Sequence, residues 1–164
     1  ASSSGRWPWA APAAGPPRAH HEAVKTVLVR WQPEADRFEA EGGLHGHLVQ
    51  INAPHDGRPA GFSASELLLA AAGACSAWDV VEILRKQRQD LTALEVSVEG
   101  EQLDAPPFAF TNGALVFRAS GHGLDPVKVQ RAVEMSEERY CSVIATIRGV
   151  AQVTCRSEVA EAVA

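Results

Sequence analysis

The chemistry open to this sequence rests on three cysteines, Cys75, Cys141 and Cys155. A thiolate is the nucleophile and the metal ligand, so the surroundings of each sulfur decide what it does. Cys75 lies midway along an apolar run, where a free cysteine behaves as a small hydrophobe. Its neighbours Ala70, Ala71, Ala72, Gly73, Ala74 and Ala77 are all small, which leaves the backbone open to close approach by another segment or a ligand. Cys141 follows one helical segment and precedes another apolar one. Its sulfur is either a buried turn residue or lies near a helix N-terminus, where positive partial charge favours thiolate. Cys155 shares a strand face with Ala151 and Val153 and reads as inert core. Asp79, four residues after Cys75, lies on the same helical face. It opposes thiolate formation if close, or bonds a neighbouring backbone group, or pairs with an arginine.

Other candidate chemistry is poorer. His45 and His47 share a strand face at i and i+2 but have no evident third ligand, so they read as solvated histidines rather than a metal site. Gly121-His122-Gly123 is an isolated turn and not a nucleotide loop, and no G-x-S-x-G elbow is present. An odd number of cysteines, without C-x-x-C spacing, fits neither a disulfide scaffold nor a structural zinc site and points to a reducing cytoplasm.

The elements that must position these residues follow from periodicity. Ala23 to Trp31 and the segment from Arg37 to the Gly42-Gly43 turn read as strands, and Leu44 to Asn52 as the returning strand of a meander. A loop from Ala53 to Gly61 follows. Ser63 and Glu66 form an S-x-x-E capping box ahead of a long apolar helix expected to run to Gln89 and to be mostly enclosed. Leu94, Val96 and Val98 alternate with polar residues in a half-buried strand, and Phe108 to Ala119 forms the next. Asp125 as N-cap with Pro126 at N1 starts a second helix, whose stripe is Val129, Ala132, Val133, Ser136 and Tyr140. A strand from Val150 to Cys155 ends the fold. The order βββ-α-ββ-α-β gives an α+β class with antiparallel sheet.

Composition sets the outer limits. With 164 residues, 46% of them hydrophobic, the chain suits one domain with a real core: residues 1–21 as a flexible tail carrying Trp7 and Trp9, 22–156 as the domain, and 157–164 as a frayed end. A net charge of −5 and the lack of a basic stripe argue against nucleic acid as a partner. The uncharged run from Leu67 to Trp78 is shorter than a membrane span, and no secretory h-region follows Arg6.

Three segments carry a resemblance. Glu66-Leu67-Leu68-Leu69-Ala70-Ala71-Ala72-Gly73-Ala74-Cys75-Ser76-Ala77-Trp78-Asp79-Val80-Val81, then Gly123-Leu124-Asp125-Pro126, then Ser136-Glu137-Glu138-Arg139-Tyr140-Cys141-Ser142-Val143, resemble the OsmC family of organic hydroperoxide reductases over about residues 22 to 156. The Cys-Ser-x-x-Asp-Val-Val form is most similar to the YhfA-like branch. The resemblance implies an intertwined α+β homodimer with two long helices buried centrally and sites shared between chains. It also implies Cys75 as peroxidatic nucleophile, Cys141 as resolving thiol, an organic hydroperoxide as substrate, a lipoyl-type dithiol as reductant, and no cofactor or metal.

A cysteine of pKa near 8.5 is only ~3% thiolate at pH 7, and a shift to ~6 raises that to ~90%. The family draws the required cation from an arginine in the N-terminal meander. Arg37 is the choice here, ahead of Arg30 and Arg58. The family's carboxylate, ten residues before the nucleophile, falls at Ser65, and Glu66 is one residue nearer, so Glu66 is the candidate to orient the arginine. The displaced carboxylate also leaves room for a different reading, a dimeric small-molecule-binding or stress-response protein that keeps the fold without efficient peroxidase chemistry.

Overall fold

Two sheets and a long helix between them in sequence make up the chain. A computed structural model describes residues 25–43, 45–52, 61–149 and 152–161. The meander is β1 (Leu28–Gln32), β2 (Arg37–Gly42) and β3 (His47–Asn52), antiparallel in the order β1-β2-β3. The second sheet is β4 (Asp90–Gln102), β5 (Phe110–His122) and β6 (Gln152–Glu161), with β5 central. The expected tail at 1–21 and most of the loop after Asn52 lie outside the described residues.

Helix α1 (Ala64–Lys86) starts where the capping box places it. The Ser63 hydroxyl accepts from the Glu66 amide at 3.2 Å, and the Ser63 amide donates to the Glu66 carboxylate at 2.7 Å, so two otherwise orphaned donors are satisfied. The helix stops three residues before the expected Gln89. Arg88 turns left-handed (φ 56°), its amide donates to the Arg85 carbonyl, and the Gln89 amide reaches back to the Leu84 carbonyl. This is a Schellman closure made without glycine. By length and composition α1 is apolar enough to cross a membrane, but one of its faces is taken up by packing. Ala72, Gly73, Ser76, Val80 and Leu84 are buried, mainly against β4 and the helices of the later crossover. Gly73 lets the helix come close to the sheet, since a Cβ there would sit 2.9 Å from Val98 Cγ2.

Four expectations need correction. The second sheet is not wholly antiparallel: β4 and β5 form an antiparallel pair, but β6 runs parallel to β5. A parallel return needs a crossover, and three short helical segments supply it. These are α2 (Pro126–Met135), a π-helical turn (Ser136–Tyr140) and α3 (Ser142–Ile147), where a single helix was expected. Nor is α1 enclosed within one chain. Leu68 and Trp78 are exposed on it, Trp78 to 70%. The last strand also continues to Glu161, past residue 156, because each of its residues finds a partner on β5.

The core lies between α1, β5 and the crossover. Phe117, Leu84, Leu115, Ile144, Val80, Val129 and Val133 are its fully buried side chains, and Cys141 belongs to it. The meander takes no part in it, and Val29, Trp31, Phe38, Leu48 and Val49 stay exposed. Replacing Ser63 by alanine breaks the box without touching this core. Ser63→Ala is expected to cost about 1 kcal/mol in urea unfolding, with the native circular dichroism spectrum retained.

Candidate active site

Helix α1 presents Cys75 and Asp79 one turn apart on one face, as i, i+4 spacing requires. The π turn then brings the chain back across that face. Its defining bond runs from the Cys141 amide to the Ser136 carbonyl at 2.9 Å, and the extra residue it accommodates sets Cys141 at the entrance to α3. The sulfurs of Cys75 and Cys141 and a carboxylate oxygen of Asp79 lie within 4.8 Å of one another. Cys75 is half-buried and Cys141 is 2% exposed, and all three cysteines are free thiols.

Two buried serines fix this cluster. The Ser76 hydroxyl donates to Cys141 Sγ at 3.2 Å, and the Ser136 hydroxyl donates to Asp79 Oδ2 at 3.0 Å while lying 3.5 Å from the Ser76 carbonyl. Neither serine was among the residues the sequence nominated. A signal was present, because Ser76 interrupts an apolar helix beside a cysteine and Ser136 sits on the apolar stripe of α2. A hydroxyl on such a face needs a partner, and here the partners are Cys141 and Asp79.

Both alternatives the sequence left open for Cys141 are present, and burial is the stronger. As N-cap of α3 it accepts the Ile144 amide at 3.4 Å, which favours thiolate, as does the Ser76 hydroxyl. Burial outweighs both and pushes the thiol up, with Cys75 adding to the rise. Burial likewise raises the Asp79 carboxyl, partly offset by the Ser136 hydrogen bond. Among the described residues, no cation acts on Asp79 or Cys141. Of the three fates open to Asp79 in the sequence, the first is met, since its carboxylate lies close to both sulfurs, and it also takes a side-chain hydrogen bond from the crossover that the sequence did not foresee.

The remaining nominated residues lie elsewhere in this chain. Glu66 is held by Ser63, which keeps its carboxyl below the usual range. Nine residues before Cys75, it is ~13 Å away along the helix axis. Arg37 is on β2, where Nη1 is 3.5 Å from Gln50 Oε1 and the buried Nε has no hydrogen-bond partner among the described residues. Among the described residues its sheet makes no extensive contact with α1. Arg30 pairs with Glu41 at 2.6 Å, and Arg58 is outside the described residues. Cys155, half-buried on β6, is pushed up to about 12, first by burial and then by Glu137.

Comparison with known proteins bears on the family and the fold. A family model for OsmC-like proteins matches residues 55–156. Protein YhfA of Escherichia coli K12 is 42% identical over 100 residues, covering 61% of this chain and 75% of YhfA. Among solved structures, a hypothetical protein from Aquifex aeolicus superposes with a TM-score of 0.75 at 26% identity, over 85% of this chain and 98% of that one. An organic hydroperoxide resistance protein OsmC from Legionella pneumophila shares the fold at 16% identity, with a TM-score of 0.63 over 85% of this chain and 99% of that one.

Thiol accessibility offers a direct check. In the folded reduced chain at pH 8, a maleimide is expected to label Cys75 first and to spare Cys155, which becomes reactive only on unfolding. A raised acid stabilises the fold while it stays protonated, so the contribution of Cys155 is present below the ordinary thiol range and is lost as pH rises through about 12. Peptide mapping after timed labelling reads the order.

Proposed function

Because the chain belongs to the OsmC-like protein family, we propose that it is a thiol-dependent peroxidase that reduces organic hydroperoxides to alcohols. The observation that carries this reading is the approach of two thiols, 66 residues apart in sequence, to within 4.8 Å in a partly open site. In the proposed cycle the Cys75 thiolate attacks the distal oxygen of the hydroperoxide. The O–O bond breaks, the alkoxide leaves and takes a proton, and Cys75 carries a sulfenic acid. The Cys141 thiol then attacks that sulfur, water departs, and a disulfide forms. A dithiol, of the lipoyl type in the family reading, restores both thiols and is itself oxidised. Half-burial of Cys75 admits substrate, and burial of Cys141 pushes its thiol up, so the resolving sulfur waits as the thiol.

The thiolate still requires a cation, and a second copy of the chain is the proposed source. The meander leaves Val29, Trp31 and Phe38 exposed and is bound to its own core by little, while α1 leaves Leu68 and Trp78 bare. Apolar surface on both elements suits a homodimer in which each meander covers the partner's helix. In that arrangement Arg37, with part of its guanidinium unsatisfied in its own chain, is the candidate to reach the partner's thiol. Glu66 is the candidate to orient it, since its place at the helix start is also on the surface. A reducing cytoplasmic setting goes with this reading, because the cycle starts from free thiols.

Stopped-flow mixing of the reduced protein with cumene hydroperoxide, coupled to dihydrolipoamide, tests the activity. Turnover is expected for the wild type, none for Cys75→Ser, and a dimedone-trappable sulfenate that persists in Cys141→Ser. Equal turnover in Cys75→Ser, or none in the wild type, ends the reading and leaves the non-catalytic binding protein. Arg37→Ala is expected to slow the first step at pH 7 by up to ~30-fold, the ratio of the two thiolate fractions, and to lose that defect as pH rises above ~9. Sedimentation equilibrium should give twice the 17.5 kDa chain mass, falling toward the monomer value in Trp31→Glu.

A further inference from the structure

The cluster of Cys75, Asp79 and Cys141 poses an electrostatic problem that a peroxidase cycle does not use. Two thiols and a carboxyl, all able to become anions, converge within 4.8 Å, and among the described residues no cation acts on Asp79 or Cys141. A carboxylate beside a nucleophilic sulfur disfavours its thiolate. The same three donors become mutually favourable once a dication sits among them. We infer that the reduced site binds a thiophilic divalent cation, Zn²⁺ being the chemical type, through Cys75 Sγ, Cys141 Sγ and Asp79 Oδ1.

The donor set selects the metal class. Two sulfurs exclude magnesium and calcium, which take oxygen, and two thiolates with one carboxylate suit a tetrahedral zinc ion with its fourth position open. Cys75 and Asp79 sit at i and i+4 on α1, a spacing that points two ligands at one ion, and Cys141 closes the set from the crossover. Zinc bonds of about 2.0–2.3 Å put neighbouring donors roughly 3.3–3.8 Å apart, so the three need to draw in by about 1 Å. Side-chain rotation covers that.

The outer contacts are those a metal site needs. Ser136 holds Asp79 by Oδ2 and leaves Oδ1 without a hydrogen bond among the described residues. Ser76 and the Ile144 amide both donate to the Cys141 sulfur, as donors around a zinc thiolate do. An open groove lined by Trp78, Asp79, Ile83, Met135 and Tyr140 reaches the carboxylate from solvent and provides an entry path and room for a water ligand. The inference goes beyond the peroxidase reading, since binding needs no peroxide, although ion and hydroperoxide would compete for the same sulfurs.

The test uses the full-length chain, reduced and kept free of oxygen. Zn²⁺ is titrated against a chromophoric chelator, and Cd²⁺ is followed by its sulfur-to-metal absorption. One ion per chain is expected, with the affinity lowered by at least about 100-fold in Cys75→Ser and in Cys141→Ser, by about 10-fold in Asp79→Asn, and unchanged in Cys155→Ser. Asp79→Asn keeps an acceptor for Ser136 and so preserves the fold, which circular dichroism verifies. Absence of the cadmium–thiolate band in the wild type overturns the inference, as does wild-type affinity in any of the first three variants. Turnover of cumene hydroperoxide is measured separately, on metal-free reduced aliquots of the same preparations. Metal binding without turnover sinks the peroxidase proposal alone, and turnover without metal binding sinks this one alone.

Discussion

The structure depends on one meeting, that of the Cys75–Asp79 face of α1 with the π turn that ends at Cys141. Hydroxyl groups make that meeting specific. Apolar contacts among Val80, Leu84, Val133 and Ile144 hold helix and crossover together but tolerate sliding, whereas the Ser76–Cys141 and Ser136–Asp79 hydrogen bonds admit one register. Each of these bonds replaces water around a buried polar group, so losing one leaves an unsatisfied partner at a cost of about 1–3 kcal/mol. Asp79 and Cys141, the candidate site residues, are therefore also structural.

That double duty explains the arrangement of helices after β5. A continuous α-helix from Pro126 would carry the residues after Met135 around on a 3.6-residue period. Widening one turn to a π geometry rotates the later residues out of that period, points Ser136 at α1, and ends the helix so that Cys141 can cap the next one. The price is a short, interrupted crossover, and it is offset by the burial of Val129, Ala132, Val133 and Ile144.

The exposed surface has the same origin as the site. A helix built largely of alanine and leucine can bury only one face against β4 and the crossover, and its other face keeps Leu68 and Trp78 in solvent. The meander is amphipathic without a core of its own, with side chains of both faces of β1 exposed. Both features suit the second copy proposed above, the same copy that the proposed chemistry calls on for a positive charge.

Local rules were enough for much of the fold. The capping box at Ser63 and Glu66, the Asp125-Pro126 start and the alternation of β4 are short-range patterns whose partners lie within a few residues, and the structure follows each. The sequence also singled out Cys75 and Cys141, through motifs flanking each sulfur. What it did not contain in any local form was the parallel pairing of β6, the π turn, the left-handed Arg88 that ends α1 early, or the roles of Ser76 and Ser136. These are decided by which surfaces meet across 60 or more residues or by how the chain closes on itself, and neither leaves a periodic trace. Sequence named the thiols and the frame around them; tertiary packing decided their separation, their burial and the carboxylate between them, because distances across a core depend on every element that fills it.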